Sequence, residues 1–167
     1  MTTQQIPGGK STITPYVVVK GADKFLDFVE QTFEVQASGR FPNEDGTVGH
    51  AEITVGESVL MTFDAAPGWP DTPAFLSVYV DDVERIYRRA IEAGATVVTE
   101  LMYSGITGDR GGRVQDPTGN IWWLQTHVED VDPSSLPALF ADPAEAALMR
   151  KAQQTFAAAM ERPVPIS

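Results

Sequence analysis

His50 and Glu52 stand two residues apart in a run, Thr47 to Val55, whose apolar positions Ala51, Ile53 and Val55 alternate with polar ones. Period-two alternation marks a half-buried strand, so the imidazole and the carboxylate leave the backbone on the same polar side. Four roles fit such a pair: sharing a divalent ion, acting as a base with an orienting carboxylate, lining a polar pocket, or resting on a solvated strand face. Two donors fall short of a metal site. The second histidine, His127, ends a different run.

The other chemically rich stretch is Gly108 to Gln125, GDRGGRVQDPTGNIWWLQ. It predicts a β-hairpin. Asp116-Pro117-Thr118-Gly119 is the turn, with Pro presetting φ at its second position and Gly favoured at its fourth. In the returning strand Ile121, Trp123, Gln125 and His127 point one way, and Trp122, Leu124 and Thr126 the other. One face then sets a bulky ring beside an amide while the other packs a core. Asp109, Arg110 and Arg113 fit an internal ion pair that braces the hairpin. Gly111-Gly112 lacks the strand-to-helix setting of a phosphate-cradling loop, and the chain has no nucleophile elbow.

Composition narrows the classes further. A length of 167 residues suits one domain that buries its own core. The absence of cysteine excludes disulfides and thiolate zinc sites. A formal net charge of −11 argues against nucleic-acid and anionic-membrane partners, both of which need a basic face. No apolar run approaches the ~20 residues of a spanning helix, and Met1 to Lys10 has no signal-peptide pattern. The expectation is a cytoplasmic protein.

The elements that must position these residues follow in order. Residues 1–12 read as a flexible lead-in. Ile13 to Lys20 is a strand, with Pro15 suited to its first residues or an edge. Ala22 to Phe33 is helical, with Phe25, Phe28, Val29, Thr32 and Phe33 on one stripe. Strands at 35–41, 47–55 and 58–63 are joined by turns at Asp45-Gly46 and Gly56-Glu57. After a Pro- and Gly-rich linker, 64–73, the plan repeats. A strand spans 74–80, a helix capped by Asp82 spans 83–93, a strand spans 95–102, and the hairpin completes the set. The fold class is therefore α+β: two βαβββ modules, 13–63 and 74–127, forming a curved mixed sheet around a cleft within one domain, 13–128. A C-terminal helical extension, 129–167, begins its helix at Asp142-Pro143-Ala144-Glu145 and carries Leu148, Ala152, Phe156 and Met160 at four-residue spacing. That stripe is read as docking on the domain or on a partner subunit, with a lid over the cleft as the lesser reading.

Four segments in this order, ITPYVVVKGADKFLDFVEQTF (13–33), GHAEITVGESVLM (49–61), YVDDVERIYRRAIEAGATVV (79–98) and GDRGGRVQDPTGNIWWLQTH (108–127), resemble the glyoxalase/bleomycin-resistance/extradiol-dioxygenase superfamily. Its members are also called vicinal oxygen chelate proteins, and the likeness is strongest to the PhnB-like branch. The resemblance implies a ligand cleft and, in metal-using members, one divalent ion held from the first and last strands of each half. Transferred here, those positions fall on Thr14, on Leu60 or Met61, on Phe75 and on Trp123. A shift of two residues offers Tyr16, Ser77 and Gln125 instead. Neither set supplies the imidazoles and carboxylates such an ion needs, so no metal and no cofactor are expected.

Face sorting leads to the same strands. One side of the first, fifth and last strands is nearly pure aliphatic; the other mixes rings, hydroxyls and amides, as a small-molecule pocket does. The expected ligand-binding residues are Thr14, Tyr16, His50, Glu52 and Met61 in the first module, and Phe75, Ser77, Trp123 and Gln125 in the second. The function expected is metal-free binding of a small aromatic or cationic organic molecule, such as a toxic compound or antibiotic. The resemblance to bleomycin-resistance proteins also implies a homodimer. The alternative is a divalent-metal-dependent lyase, isomerase or dioxygenase using His50 and Glu52.

Overall fold

The computed structural model describes residues 6–161, so residues 1–5 of the expected lead-in and 162–167 of the expected extension lie outside it. The chain divides into two compact units, Met1–Ala74 and Phe75–Ser167. Each βαβββ module forms its own four-stranded mixed sheet.

In the first unit β1 (Tyr16–Val19), α1 (Ala22–Phe33), β2 (Ala37–Pro42), β3 (Val48–Val55) and β4 (Ser58–Asp64) form a sheet of order β1-β4-β3-β2. The first strand is shorter than expected because Pro15 has no N–H to give; it joins the ladder only through its carbonyl, which accepts from Met61 N at 3.0 Å. Val17 and Val19 of β1, Ala51 and Ile53 of β3 and Leu60 of β4 are buried with Phe25, Leu26, Phe28 and Val29 of α1. Each large side chain so buried contributes roughly 1.5–3 kcal/mol. The helix starts at Gly21, which is left-handed at φ 93 and has no side chain to cap with. Asp64, at the end of β4, takes over that task. Its Oδ1 accepts from Gly21 N at 2.7 Å and Ala22 N at 2.9 Å, and its Oδ2 accepts from Val48 N at 2.7 Å. Arg40 on β2 reaches the outer side of α1 and clamps Asp23, Asp27 and Glu30 at 2.8–2.9 Å.

The second unit contains β5 (Phe75–Tyr79), α2 (Val83–Glu92), β6 (Thr96–Ser104), β7 (Asp109–Gln115) and β8 (Ile121–His127), in sheet order β5-β8-β7-β6. Asp82 caps α2 through Arg85 N at 2.9 Å, as its sequence position predicts. Trp122, Leu124 and Val114 are buried on the sheet face that α2 covers, with Val83, Ile86 and Ala90. A short 3-10 turn (Pro133–Ser135), α3 (Leu136–Ala141) and α4 (Pro143–Met160) follow. Asp142 caps α4 at Ala144 N, 2.7 Å.

The stripe expected on α4 is only partly the one that docks. Ala152 and Ala159 are buried and Phe156 packs beside Val98 and Ile121, whereas Met160 is 55% exposed. A strict four-residue repeat overshoots the 3.6-residue turn, so the docked stripe advances by three or four residues and reaches Ala159 instead. Glu145, expected to act at its own helix start, leaves it to accept from Gly105 N at 2.9 Å in the β6–β7 turn. Among the described residues no helix is long and apolar enough to cross a membrane.

Candidate functional site

The sheet face of the first unit that turns away from α1 collects rings. In register Tyr16 pairs with Met61 and Val18 with Phe63 across β1 and β4, while Glu52 pairs with Met61 and Phe41 with His50 on the neighbouring strands. Cross-strand partners share a face, so these side chains stand together. The Tyr16 ring meets Phe63 edge-on at 5.4 Å between centroids, and Phe63 in turn meets Trp69 at 6.3 Å. Phe41 stacks on His50 at 6.3 Å, and His50 lies at 6.2 Å from Tyr16. Such an array remains open: Tyr16, Phe41 and Trp69 are 48%, 64% and 50% exposed.

A polar line crosses this ring face. The Tyr16 hydroxyl lies 3.0 Å from His50 Nδ1, His50 Nε2 lies 3.2 Å from Glu52 Oε1, and Lys10 Nζ lies 2.5 Å from the same oxygen. The hydrogen bond from Lys10, helped by that from His50, outweighs partial burial and holds the Glu52 carboxyl below its ordinary range. Lys10 lies in the segment expected to be a flexible lead-in, and the ion pair ties it to the sheet.

The second unit treats its corresponding face differently. Ser77 pairs in register with Trp123, and Tyr79 with Gln125. Gln125 is buried and donates through Nε2 to Ser77 Oγ at 2.8 Å. Phe75 lies parallel to Trp123 at 6.4 Å and against Phe156 of α4 at 5.1 Å. The Arg113 guanidinium sits 4.5 Å over the Trp123 ring and 5.3 Å from that of Phe156, and donates to Ala152 O at 3.0 Å. Burial lowers the pKa of Arg113. Helix α4 thus lies on this face, with Thr155 Oγ1 2.7 Å from Thr99 Oγ1.

The expected residues therefore fall into two groups. Tyr16, His50, Glu52 and Met61 come together in the first unit; Phe75, Ser77, Trp123 and Gln125 come together in the second. Thr14 stands apart, ahead of β1, with its hydroxyl on Ser11 O at 3.0 Å. The parallel register makes Tyr16, not Thr14, the partner of Met61. Leu60 is buried on the helix side. Phe41, Phe63, Trp69 and Lys10 were not among the expected residues. Phe63 shares the parity of Met61 along β4 and could have been found by it; Trp69 and Lys10 lie outside any periodic run.

The bracing of the hairpin also differs from expectation. Asp109 does not pair with either arginine. It accepts from His127 Nδ1 at 2.8 Å and from the Tyr79 hydroxyl at 3.0 Å, while Arg110 pairs with Glu84 of α2. The second nitrogen of His127 faces Asp130 at 3.1 Å. With carboxylates on both sides, Asp109 first and Asp130 second, the His127 pKa is raised. The sign follows from linkage: this contribution to stability is complete below the unfolded-state pKa and is lost as pH rises through the folded one.

Among the described residues no three His, Asp or Glu side chains gather to hold a metal ion. The positions to which the resemblance points, Thr14, Leu60 or Met61, Phe75 and Trp123, or Tyr16, Ser77 and Gln125 after a shift of two residues, carry no imidazole or carboxylate.

A sequence profile described as "Glyoxalase/Bleomycin resistance protein/Dioxygenase superfamily" matches residues 12–124. The uncharacterized protein Mb0911c of Mycobacterium bovis is 33% identical over 137 residues, spanning 75% of this chain and 90% of its own. Among solved structures, TioX from Micromonospora sp. ML1 superposes with a TM-score of 0.60 at 24% identity, covering 71% of this chain and 99% of its own. A PhnB protein from Bacillus cereus does so with a TM-score of 0.54 at 16% identity, covering 70% and 99%. At those identities the two structures speak for the fold alone.

Proposed function

As a member of the glyoxalase/bleomycin resistance protein/dioxygenase superfamily, to which the chain belongs, this protein, we propose, binds a small, flat aromatic or cationic organic molecule without a metal ion. The use that fits such binding is sequestration of a toxic compound or antibiotic. One observation carries the reading: the open ring face of the first unit, where Tyr16, Phe41, Phe63 and Trp69 surround a hydrogen-bonded line of polar groups. A folded protein gains nothing in stability from leaving such rings in water, and exposed apolar patches of this kind mark binding surfaces. Edge-to-face rings offer both stacking and cation–π contact to a flat ligand. The second unit's rings are a weaker candidate, because Arg113 and Phe156 already occupy them.

The competing reading, a divalent-metal-dependent lyase, isomerase or dioxygenase, needs a donor set that the strand positions do not offer. Calorimetric titration in the presence of a chelator tests the two together. Flat aromatic heterocycles are expected to bind saturably under those conditions. Removing a ring from the face, Phe63→Ala, should weaken them about tenfold, the loss of roughly 1.4 kcal/mol of stacking and burial. Saturable binding only after a divalent ion is restored would favour the enzyme.

A further inference from the structure

The polar line on the ring face has a direction, and it ends at Tyr16. A lysine ammonium can only donate, and an ionised carboxylate can only accept. Lys10 therefore donates to Glu52 Oε1, 2.5 Å away. The same oxygen lies 3.2 Å from His50 Nε2, so that ring nitrogen must carry a hydrogen and point it at the carboxylate. A neutral imidazole with its hydrogen on Nε2 has a bare lone pair on Nδ1. For that neutral ring the Tyr16 hydroxyl, 3.0 Å from Nδ1, is the donor of the last bond. With its single hydrogen committed to His50, the phenol oxygen keeps only lone pairs for anything that approaches it from the open side.

Resting on the ligand-binding reading above, we propose that Tyr16 is a specificity-determining hydrogen-bond acceptor that selects flat aromatic ligands bearing an N–H or O–H donor. Lys10, Glu52 and His50 act as positioning residues, since they touch the ligand only through the phenol whose hydrogen they consume. The surroundings fit a ligand of that shape. The Tyr16 ring is held edge-on by Phe63 at 5.4 Å, and Trp69 and Phe41 extend the apolar surface on either side. A donor reaching the phenol oxygen therefore brings its ring against other rings. An isostere that presents a lone pair instead would set acceptor against acceptor, a mismatch that disfavours it beyond the loss of one bond. The net charge of −11 works in the same direction for a protonated donor.

Indole and benzofuran test this, because they share size and shape and differ in a ring N–H against a ring oxygen. Both would be titrated into the full chain by calorimetry in chelator, with perturbed backbone resonances read by NMR to show where each sits. Indole is expected to bind about fivefold more tightly than benzofuran, as one neutral hydrogen bond provides. Tyr16→Phe keeps the ring and its contact with Phe63 while removing the acceptor, and should bring the two affinities together by weakening indole alone. His50→Ala releases the phenol to turn its hydrogen outward, and should narrow the gap from the other side by strengthening benzofuran. Equal affinities in the unmodified chain, with resonances of the ring face perturbed, would overturn the acceptor proposal and leave the binding face standing. Failure of both compounds to perturb the ring face would overturn both.

Discussion

Asp116→Ala is expected to destabilise the second unit by about 4 kcal/mol, the range for removing a buried carboxylate that several donors share. The sequence marks Asp116 only as the first residue of a turn, but in the fold it is a hub. It is 2% exposed. Its Oδ1 accepts from Thr118 N and Thr118 Oγ1, each at 2.8 Å, and from Asn120 N at 3.1 Å. Its Oδ2 accepts from Asn120 Nδ2 and from the indole Nε1 of Trp122, both at 2.9 Å. Asn120 and Trp122 are themselves buried, so water cannot replace the lost acceptor without opening the core. The turn, the start of β8 and the largest core side chain thus depend on one carboxylate. Urea unfolding followed by tryptophan emission measures the loss. A shift worth less than about 1 kcal/mol, the ordinary value of a turn residue, would show that the hub is redundant.

Gly112→Ala is expected to cost about 3 kcal/mol for a single methyl group, at the top of the range for overpacking a core. The glycine pair in GDRGGR offers no phosphate cradle, and the packing explains at least the second member. A Cβ on Gly112 would lie 2.8 Å from Thr99 O, 2.8 Å from Tyr87 Cε2 and 3.1 Å from Leu101 N. Two of those neighbours are backbone atoms of β6 and cannot rotate away. The third is a ring that cannot yield cheaply, because the Tyr87 hydroxyl donates to Thr99 O at 3.1 Å and the side chain is buried. Burial, with Glu100 adding to it, pushes the phenol up to about 12, so it stays a donor throughout the ordinary pH range. The methyl must therefore part α2 from the sheet or bend β6. The same unfolding experiment reads this variant, and a change below about 1 kcal/mol would mean that β6 moves freely.

Local periodicity carried the fold a long way. The alternation in Ile121 to His127 separates Trp122 and Leu124, both buried against α2, from Trp123 and Gln125 on the other face. The parity of His50 and Glu52 with Tyr16 and Met61 likewise emerges as one surface. What stayed illegible depends on contacts between residues far apart in sequence. Lys10 meets Glu52 across 42 residues, and Glu145 meets Gly105 across 40; no periodic pattern encodes either. Trp69 sits in a Pro- and Gly-rich segment where side-chain direction is not set by a strand, yet it extends the ring cluster through Phe63. Arg113 illustrates the same limit. Its position in a basic, glycine-rich stretch suggests an ion pair, whereas the docking of α4 gives it two rings and a carbonyl instead. Register explains Thr14: one proline upstream of β1 moves the strand's first usable position to Tyr16.

The most direct measurement of the central claim is a methyl spectrum of the chain labelled with 13C at its methionine methyl groups, recorded in chelator while flat aromatic heterocycles are added. Met61 lies on the ring face beside Tyr16, whereas Met149 and Met160 are exposed on α4. Metal-free binding on the first unit's sheet predicts that the Met61 methyl shifts saturably under the ring current of the ligand while those of Met149 and Met160 hold still. A Met61 methyl that ignores every heterocycle, or that responds only after a divalent ion is added, would contradict it.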